Sequence, residues 1–313
     1  MSEQLLVASG EVRAASLTIH DADAALERAR VFEKHARGLI QPLTGKFAWR
    51  TIGVFLGILV ELAAVSTLTI YGYLPYWAAI PINVILIYFI FTPLHEATHD
   101  NIVGPYPRLK WLSEVIGHIS GIILLAPFPG FRVLHLHHHS HTNDEAEDPD
   151  YWVKSDNYLM VILRCMAIQP AYVIHLYKIA RDPLTMRIFI YELLLLGAYI
   201  PIIGGAFLLG FGWKLVLLWI LPGYIGVVMC PLMFDWPVHH PHSERGRYTD
   251  SAILLFPKPI KWLADFFYCG HSYHLMHHMY PRVPFYDYKT AYYLVEPELN
   301  TLGAKVRHFI GAT

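Results

Sequence analysis

The chain has 313 residues and a formal net charge of -1, from 24 Lys+Arg against 25 Asp+Glu, a balance that carries no electrostatic signature of nucleic-acid binding. Hydrophobic residues make up 55% and charged residues only 16%, against about 45–50% and about 25% in soluble domains, so the composition is that of a membrane protein. Cys165, Cys230 and Cys269 form no CxxC pair, which argues against a disulfide framework, an iron–sulfur cluster or a thiolate zinc site.

The first 46 residues are polar and mixed in charge, with no apolar run of the kind a secretory signal requires, and they read as a cytosolic N-terminal segment. Four apolar stretches then reach the roughly 20 helical residues needed to cross a bilayer: 51–70, 77–94, 188–209 and 215–234. Short connections, YGYLPY and GFGWK, join them into two hairpins. With the N-terminus inside, the two outer connections hold only Lys214, whereas residues 1–50 hold seven basic residues, 95–187 eight and 235–313 eight. Lys and Arg are retained on the cytoplasmic face, so both termini and every histidine cluster are expected there. Two further stretches, 115–128 and 158–176, are interrupted by His118, Pro127, Arg164, Gln169 and Pro170 and read as interfacial or re-entrant helices. The expected fold is therefore all-α, a multi-pass helical bundle of four spans with interfacial helices and a histidine-rich cytosolic cap. Residues 47–313 form one domain in this reading. Glu61 and Glu192 fall inside spans, where a helix-packing role is expected. Gly204, Gly205, Gly223 and Gly226 suit helix packing, or space for a lipid chain.

The chain holds 19 histidines, most of them in four short stretches. In HEATHD, His95 and His99 stand four residues apart just past the second span, close enough on one helical face to chelate a single ion. The same letters fit a zinc-protease HExxH, but that reading leaves three more clusters unexplained. In FRVLHLHHHSH, His135, His138 and His139 share an arc of about 100° on one helical face, and His137, His138 and His141 form a competing trio. HSYHLMHH repeats the HxxHH spacing as His274, His277 and His278, which favours the first trio. FDWPVHHPH follows the fourth span and offers His239, His240 and His242. Eight box histidines plus one or two further groups are too many for one ion and natural for two. Asp100, Asp148 and Asp150 are candidates to orient ligand rings from behind.

These elements, HEATH at 95–99, HLHHHSHTN followed by DPD at 135–150 and HLMHHMYPRVPFY at 274–286, resemble the integral-membrane fatty acid desaturase and hydroxylase superfamily, which includes acyl desaturases, alkane hydroxylases and one type of carotene hydroxylase. The resemblance implies a non-haem pair of Fe ions at the cytosolic membrane face, with O2 as co-substrate, oxidising an unactivated C–H bond of a lipid drawn from the bilayer. Residue by residue it assigns the metal ligands to His95, His99, His135, His138, His139, His274, His277 and His278. It adds His239 through an NxxxH element that here begins with Asp235, so that Asp235 would ligate directly or hold a water. His240, His242 and His271 are extra histidines, expected to support ligands or handle protons. The three intervening residues of the first box, as in alkane and carotene hydroxylases, favour hydroxylation. Desaturation and oxidative decarboxylation to a terminal alkene are alternatives at the same centre. No haem-binding, iron–sulfur or nucleotide motif occurs, so an external electron donor is expected: a ferredoxin, a rubredoxin, or cytochrome b5 with its reductase. Arg132, Lys154, Arg245 and Arg247 could meet such an acidic carrier, although solvated surface charge is the simpler role. A bacterial inner membrane or an endoplasmic reticulum membrane would suit the topology. A histidine-rich metal transporter is the rival of a different class.

Overall fold

The computed structural model describes residues 19–309; what the sequence suggests for 1–18 lies outside the described residues. Helix α1 (Ile19–Ile40) precedes a hairpin of α2 (Trp49–Ile70) with α3 (Tyr76–Phe89) and its continuation α4 (Phe91–Thr98). The middle of the chain forms α5 (Lys110–Leu124), α6 (Phe128–His141), α7 (Tyr158–Cys165) and α8 (Ile168–Ile179). A second hairpin, α9 (Pro183–Leu208) and α10 (Gly212–His239), leads into α11 (Lys258–Tyr268), α12 (His274–Met279) and α13 (Tyr288–Thr301). Two parallel three-residue strands, β1 (Ile253–Leu255) and β2 (Val306–His308), pair with Ile253 opposite Val306.

Among the described residues, four helical runs are long and apolar enough to cross a membrane: Trp49–Ile70, Tyr76–Thr98, Pro183–Leu208 and Gly212–His239. Burial separates this arrangement from a large soluble core. Only 17% of the most apolar window of α2 and 6% of that of α9 is buried within the protein. Helices this apolar and this exposed require a nonaqueous surround. The inner partners, α3 and α10, make the closest helix pair, with Gly226 of α10 against the Tyr88 backbone. Of the four glycines singled out in the sequence, Gly223 and Gly226 pack against neighbouring helices, whereas Gly204 and Gly205 face open space.

The two intervening stretches are bent. Helices α5 and α6 meet at 97° and α7 and α8 at 69°. Leu125 adopts the left-handed conformation, φ 61°, at the end of α5, and Pro127 then precludes continuation, because it has no N–H to donate. The fold-back is tight: a Cβ on Gly117 would lie 2.3 Å from the Phe128 ring. Gly117→Val is therefore expected to cost about 1–3 kcal/mol through overpacking, read as a lowered unfolding midpoint in detergent.

Prolines also shape the ends of the spans. Pro93 removes the N–H that would bond the carbonyl of residue 89, and the second span breaks at Ile90 between α3 and α4. The run past this break continues to Thr98, further than the expected end at 94, so His95 stands on the span itself. Helix α10 likewise runs to His239 and contains π-helical turns at Val216–Ile220 and Pro231–Asp235. The second starts at a proline that cannot sustain the regular ladder and re-aims Asp235 and His239.

A cap of α1, α12, α13 and the strand pair covers one end of the bundle. Phe32, Ala36 and Ile40 of α1 pack with Tyr273, Met276, Tyr288 and Tyr292. Backbone bonds from Leu254 to Ser272 and from Leu275 to Ala252 tie α12 to β1. The third histidine box is thereby fixed against the bundle.

Candidate metal centre

The box histidines converge in two groups. His95, His99, His135, His139 and His277 place one ring nitrogen each within 4.8 Å of all the others, and His138, His239, His274 and His278 do the same. The two HxxHH boxes divide in a regular way, while the first box stays whole. The i, i+4 pairs stay together, His95 with His99 and His135 with His139 in the first group, His274 with His278 in the second. The i+3 residues, His138 and His277, each cross to the other group. Helices α6 and α12 therefore each serve both groups, while α4 serves the first and α10 the second.

The donor geometry fits metal ions. In the first group the Nε2 atoms of His95 and His277 lie 3.0 Å apart, those of His99 and His135 2.9 Å, His135 and His139 3.1 Å, and His139 and His277 2.8 Å. Two nitrogens at right angles about an ion with bonds of about 2.1 Å would be about 3.0 Å apart. A hydrogen-bonded ring of imidazoles explains the pattern less well. The Nε2 atoms of His277 and His135 each face two other nitrogens, whereas a neutral ring has one N–H to give. In the second group His274 and His278 approach to 3.2 Å. Burial and the neighbouring rings hold His274, His277 and His278 well below the usual imidazole range, which leaves them neutral with a lone pair to offer.

Three of the far ring nitrogens are held from behind, whereas the Nδ1 atoms of His95 and His274 have no hydrogen-bond partner. His138 donates through Nδ1 to Asp148 at 2.8 Å, with Asp150 at 3.4 Å. His239 donates through Nδ1 to the Asp250 carbonyl at 2.9 Å, and His277 Nδ1 faces the Tyr288 hydroxyl at 2.9 Å. Each contact turns Nε2 toward its group. Burial raises the Asp148 carboxyl, but the His138 ring and the Asp150 N–H outweigh it and keep the group below the ordinary carboxylate range. Burial, with the Asp148 charge beside it, pushes Asp150 up to about 6. Tyr172 donates to Asp150 at 2.7 Å.

Other expected residues stand elsewhere. Asp100 reaches no ring; it pairs with Lys110 at 3.6 Å on the surface, because its left-handed backbone, φ 54°, turns it away at the end of α4. Asp235 is outside both groups and half-buried, with its two carboxyl oxygens shielded and neither hydrogen-bonded. His137 and His141 stack on each other at 4.1 Å and belong to neither group. His242 and His271 are buried with both ring nitrogens unpartnered, and His240 is only partly buried. Burial holds His271 down at about 3. Arg132, Arg245 and Arg247 pair with Glu114, Asp144 and Glu33, and Lys154 donates to the Tyr151 hydroxyl. Those four cations are thus engaged within the chain. Tyr288 and the Asp250 carbonyl were not legible in the sequence, because neither lies in a histidine box.

A cavity is bounded by both groups. His95, His135, His138, His239 and His274 form its inner wall, and Phe91, Phe131, Ile168, Val227 and Phe234 line its apolar length, with Glu192 among them. A second, shallower groove between α2, α3 and α11 contains Glu61, Phe89 and Phe266.

Comparison with known proteins agrees with this geometry. A family profile described as fatty acid desaturase matches residues 71–310, which is most of the chain. An sn-1 oleoyl-lipid 12-desaturase of Picosynechococcus is 26% identical over 63% of this chain and 62% of its own length. An sn-1 acyl-lipid omega-3 desaturase (ferredoxin) of Nostoc is 23% identical over 73% of this chain and 70% of its own, and a fatty acid desaturase of Bacillus subtilis is 23% identical over 67% and 65%. The chain thus spans somewhat under two thirds of the first of these relatives. With a profile match that includes all three histidine boxes, this chain belongs to the fatty acid desaturase family.

Proposed function

We propose that the protein is an O2-dependent, membrane-embedded acyl-lipid desaturase with two non-haem irons. The observation that carries the reading is the meeting of two imidazole groups with the inner end of an apolar cavity. His95, His99, His135, His139 and His277 would hold one ion, and His138, His239, His274 and His278 the other. Bound there, the irons would supply O2 activation and C–H oxidation. For desaturation the balance is one CH2–CH2 unit, O2, two electrons and two protons giving CH=CH and two waters.

The chain's own residues position the reactants. Phe91, Phe131 and Phe234 confine an alkyl chain beside His95 and His135 and exclude bulk water from the cavity. Asp148, the Asp250 carbonyl and Tyr288 keep His138, His239 and His277 in one orientation. Asp235, beside the second group but outside it, suits a water-holding role better than direct ligation.

The spacing of the first box favours hydroxylation, but all three relatives described above are named desaturases, and desaturation is the reading better supported. The Nostoc relative's name includes ferredoxin, which supports a ferredoxin-type donor here. The distribution of basic residues supports a cytosolic face for both termini and the metal centre. A metal-transport reading fits less well, because His138, His239 and His277 are held through Nδ1, which does not suit ligand exchange, and His95, His99 and His239 stand at the ends of spans.

The test is metal analysis followed by product analysis. Purified protein reconstituted with ferrous iron is expected to hold about two irons per chain, without a haem band. Supplied with reduced ferredoxin and C18 acyl lipids, it is expected to yield products lighter by two hydrogens. Products heavier by one oxygen would return the assignment to hydroxylation, and failure to fill two sites would overturn the di-iron reading.

A further inference from the structure

We propose that Glu192 reads the substrate: its carboxyl hydrogen-bonds an ester group of the lipid inside the cavity, so that the site selects an esterified acyl chain over a plain hydrocarbon. This rests on the lipid-oxidising reading above and specifies what that site accepts.

Glu192 lies on α9, a span whose flanking residues Tyr191, Leu193 and Leu194 are exposed on the apolar exterior. Glu192 itself is only 8% exposed and turns inward into the cavity that ends at the two histidine groups. Its Oε2 atom has no side-chain hydrogen-bond partner, and the carboxyl lies against the Gly130 backbone N–H. An ionisable group at bilayer depth is costly and persists where it has a partner or a function. Gln169 donates to the Leu125 carbonyl at 2.5 Å and Tyr172 to Asp150 at 2.7 Å. Asp235 and His271, which also line the cavity without partners, stand at its histidine end, beside His138 and His95. Glu192 is therefore the polar contact offered to a ligand away from the histidine groups.

Helix α6 is notched to admit the carboxyl. A Cβ on Gly130 would stand 2.3 Å from Glu192 Oε2, so any larger residue there would push the carboxyl from this position. Gly130 precedes His135 by five residues, about 7.5 Å along the helix, which places Glu192 away from the reacting carbon. It is a specificity residue, with its O–H donating to the ester carbonyl. A hydrocarbon of the same length would leave that O–H unpaired in the cavity, which disfavours the hydrocarbon.

Capping the first turn of α6 is the structural role that could mimic this one. Loss of a cap would weaken the fold and metal loading, but it would not change the relative affinity for two ligands. The experiment therefore measures a ratio, in the full chain purified in detergent without metal: equilibrium binding of methyl stearate and of octadecane, each by displacement of a fluorescent acyl probe. Wild type is expected to bind the ester about tenfold more tightly, equivalent to about 1.4 kcal/mol. Glu192→Met should bring the ratio close to one by weakening the ester alone, Glu192→Gln should keep most of it, and Gly130→Ala should behave like Glu192→Met by displacing the carboxyl. Equal binding of both ligands by wild type, or a ratio unmoved in both Glu192→Met and Gly130→Ala, would overturn the proposal. An ester preference that depends on Glu192, in protein that oxidises no lipid after iron loading, would instead overturn the desaturase reading and leave this one standing.

Discussion

His277→Ala is expected to reduce lipid oxidation on the order of a thousandfold or more and to lower bound iron from about two per chain toward one, while the protein still inserts into the membrane. His277 sits between two members of the first group, with its Nε2 3.0 Å from His95 and 2.8 Å from His139. It comes from α12, whereas the other four rings come from α4 and α6, so it is the one residue of that group that joins the cap to the bundle. Removing it leaves an incomplete shell without disturbing the spans. Iron content with turnover checks this; normal turnover with two irons retained would reject the ligand assignment.

Asp148→Asn should weaken iron binding at the second group by about 10–100-fold, measured by competition with a chelator, with a smaller loss at the first. The carboxylate accepts from His138 Nδ1 at 2.8 Å and from the backbone N–H groups of Asn143 at 2.6 Å and Asp150 at 2.9 Å. It thus fixes both the ring and the turn that follows α6. An amide in its place would present its NH2 to one of three donors and leave His138 free to rotate. Asp100→Asn provides the contrast. Its carboxylate pairs only with Lys110, with both side chains largely solvated, and iron affinity should not change. Equal effects from the two substitutions would show that a general loss of negative charge, rather than ring orientation, is responsible.

Much of this centre is legible along the chain, because ligand spacing on a helix is a local property. HEATH and the two HxxHH boxes place their rings on single faces by the 3.6-residue repeat alone, and the repetition of HxxHH distinguishes His135 from the outward-facing His137 and His141. The four spans follow equally directly from the length and hydropathy of their runs. Their ends were less legible: the expected stop at 94 falls short of Thr98, and that at 234 short of His239, because polar ligand residues at the end of a buried helix break the apolar pattern without breaking the helix.

The sequence by itself thus determined the membrane class, the two hairpins and the histidines available to the centre, since each depends on periodicity and composition over one stretch of chain. Tertiary structure decided how those histidines are shared. Whether His138 and His277 stay with their own boxes or cross to the other depends on the angle at which α6 and α12 meet, set by the 97° fold-back at Leu125 and by the strand pair that docks the cap. It also decided that Glu192 lines a cavity while resting on Gly130 of α6, and that Tyr288 stands behind His277. These are contacts between segments far apart in the chain, and no local pattern encodes them, because they depend on the relative orientation of whole helices.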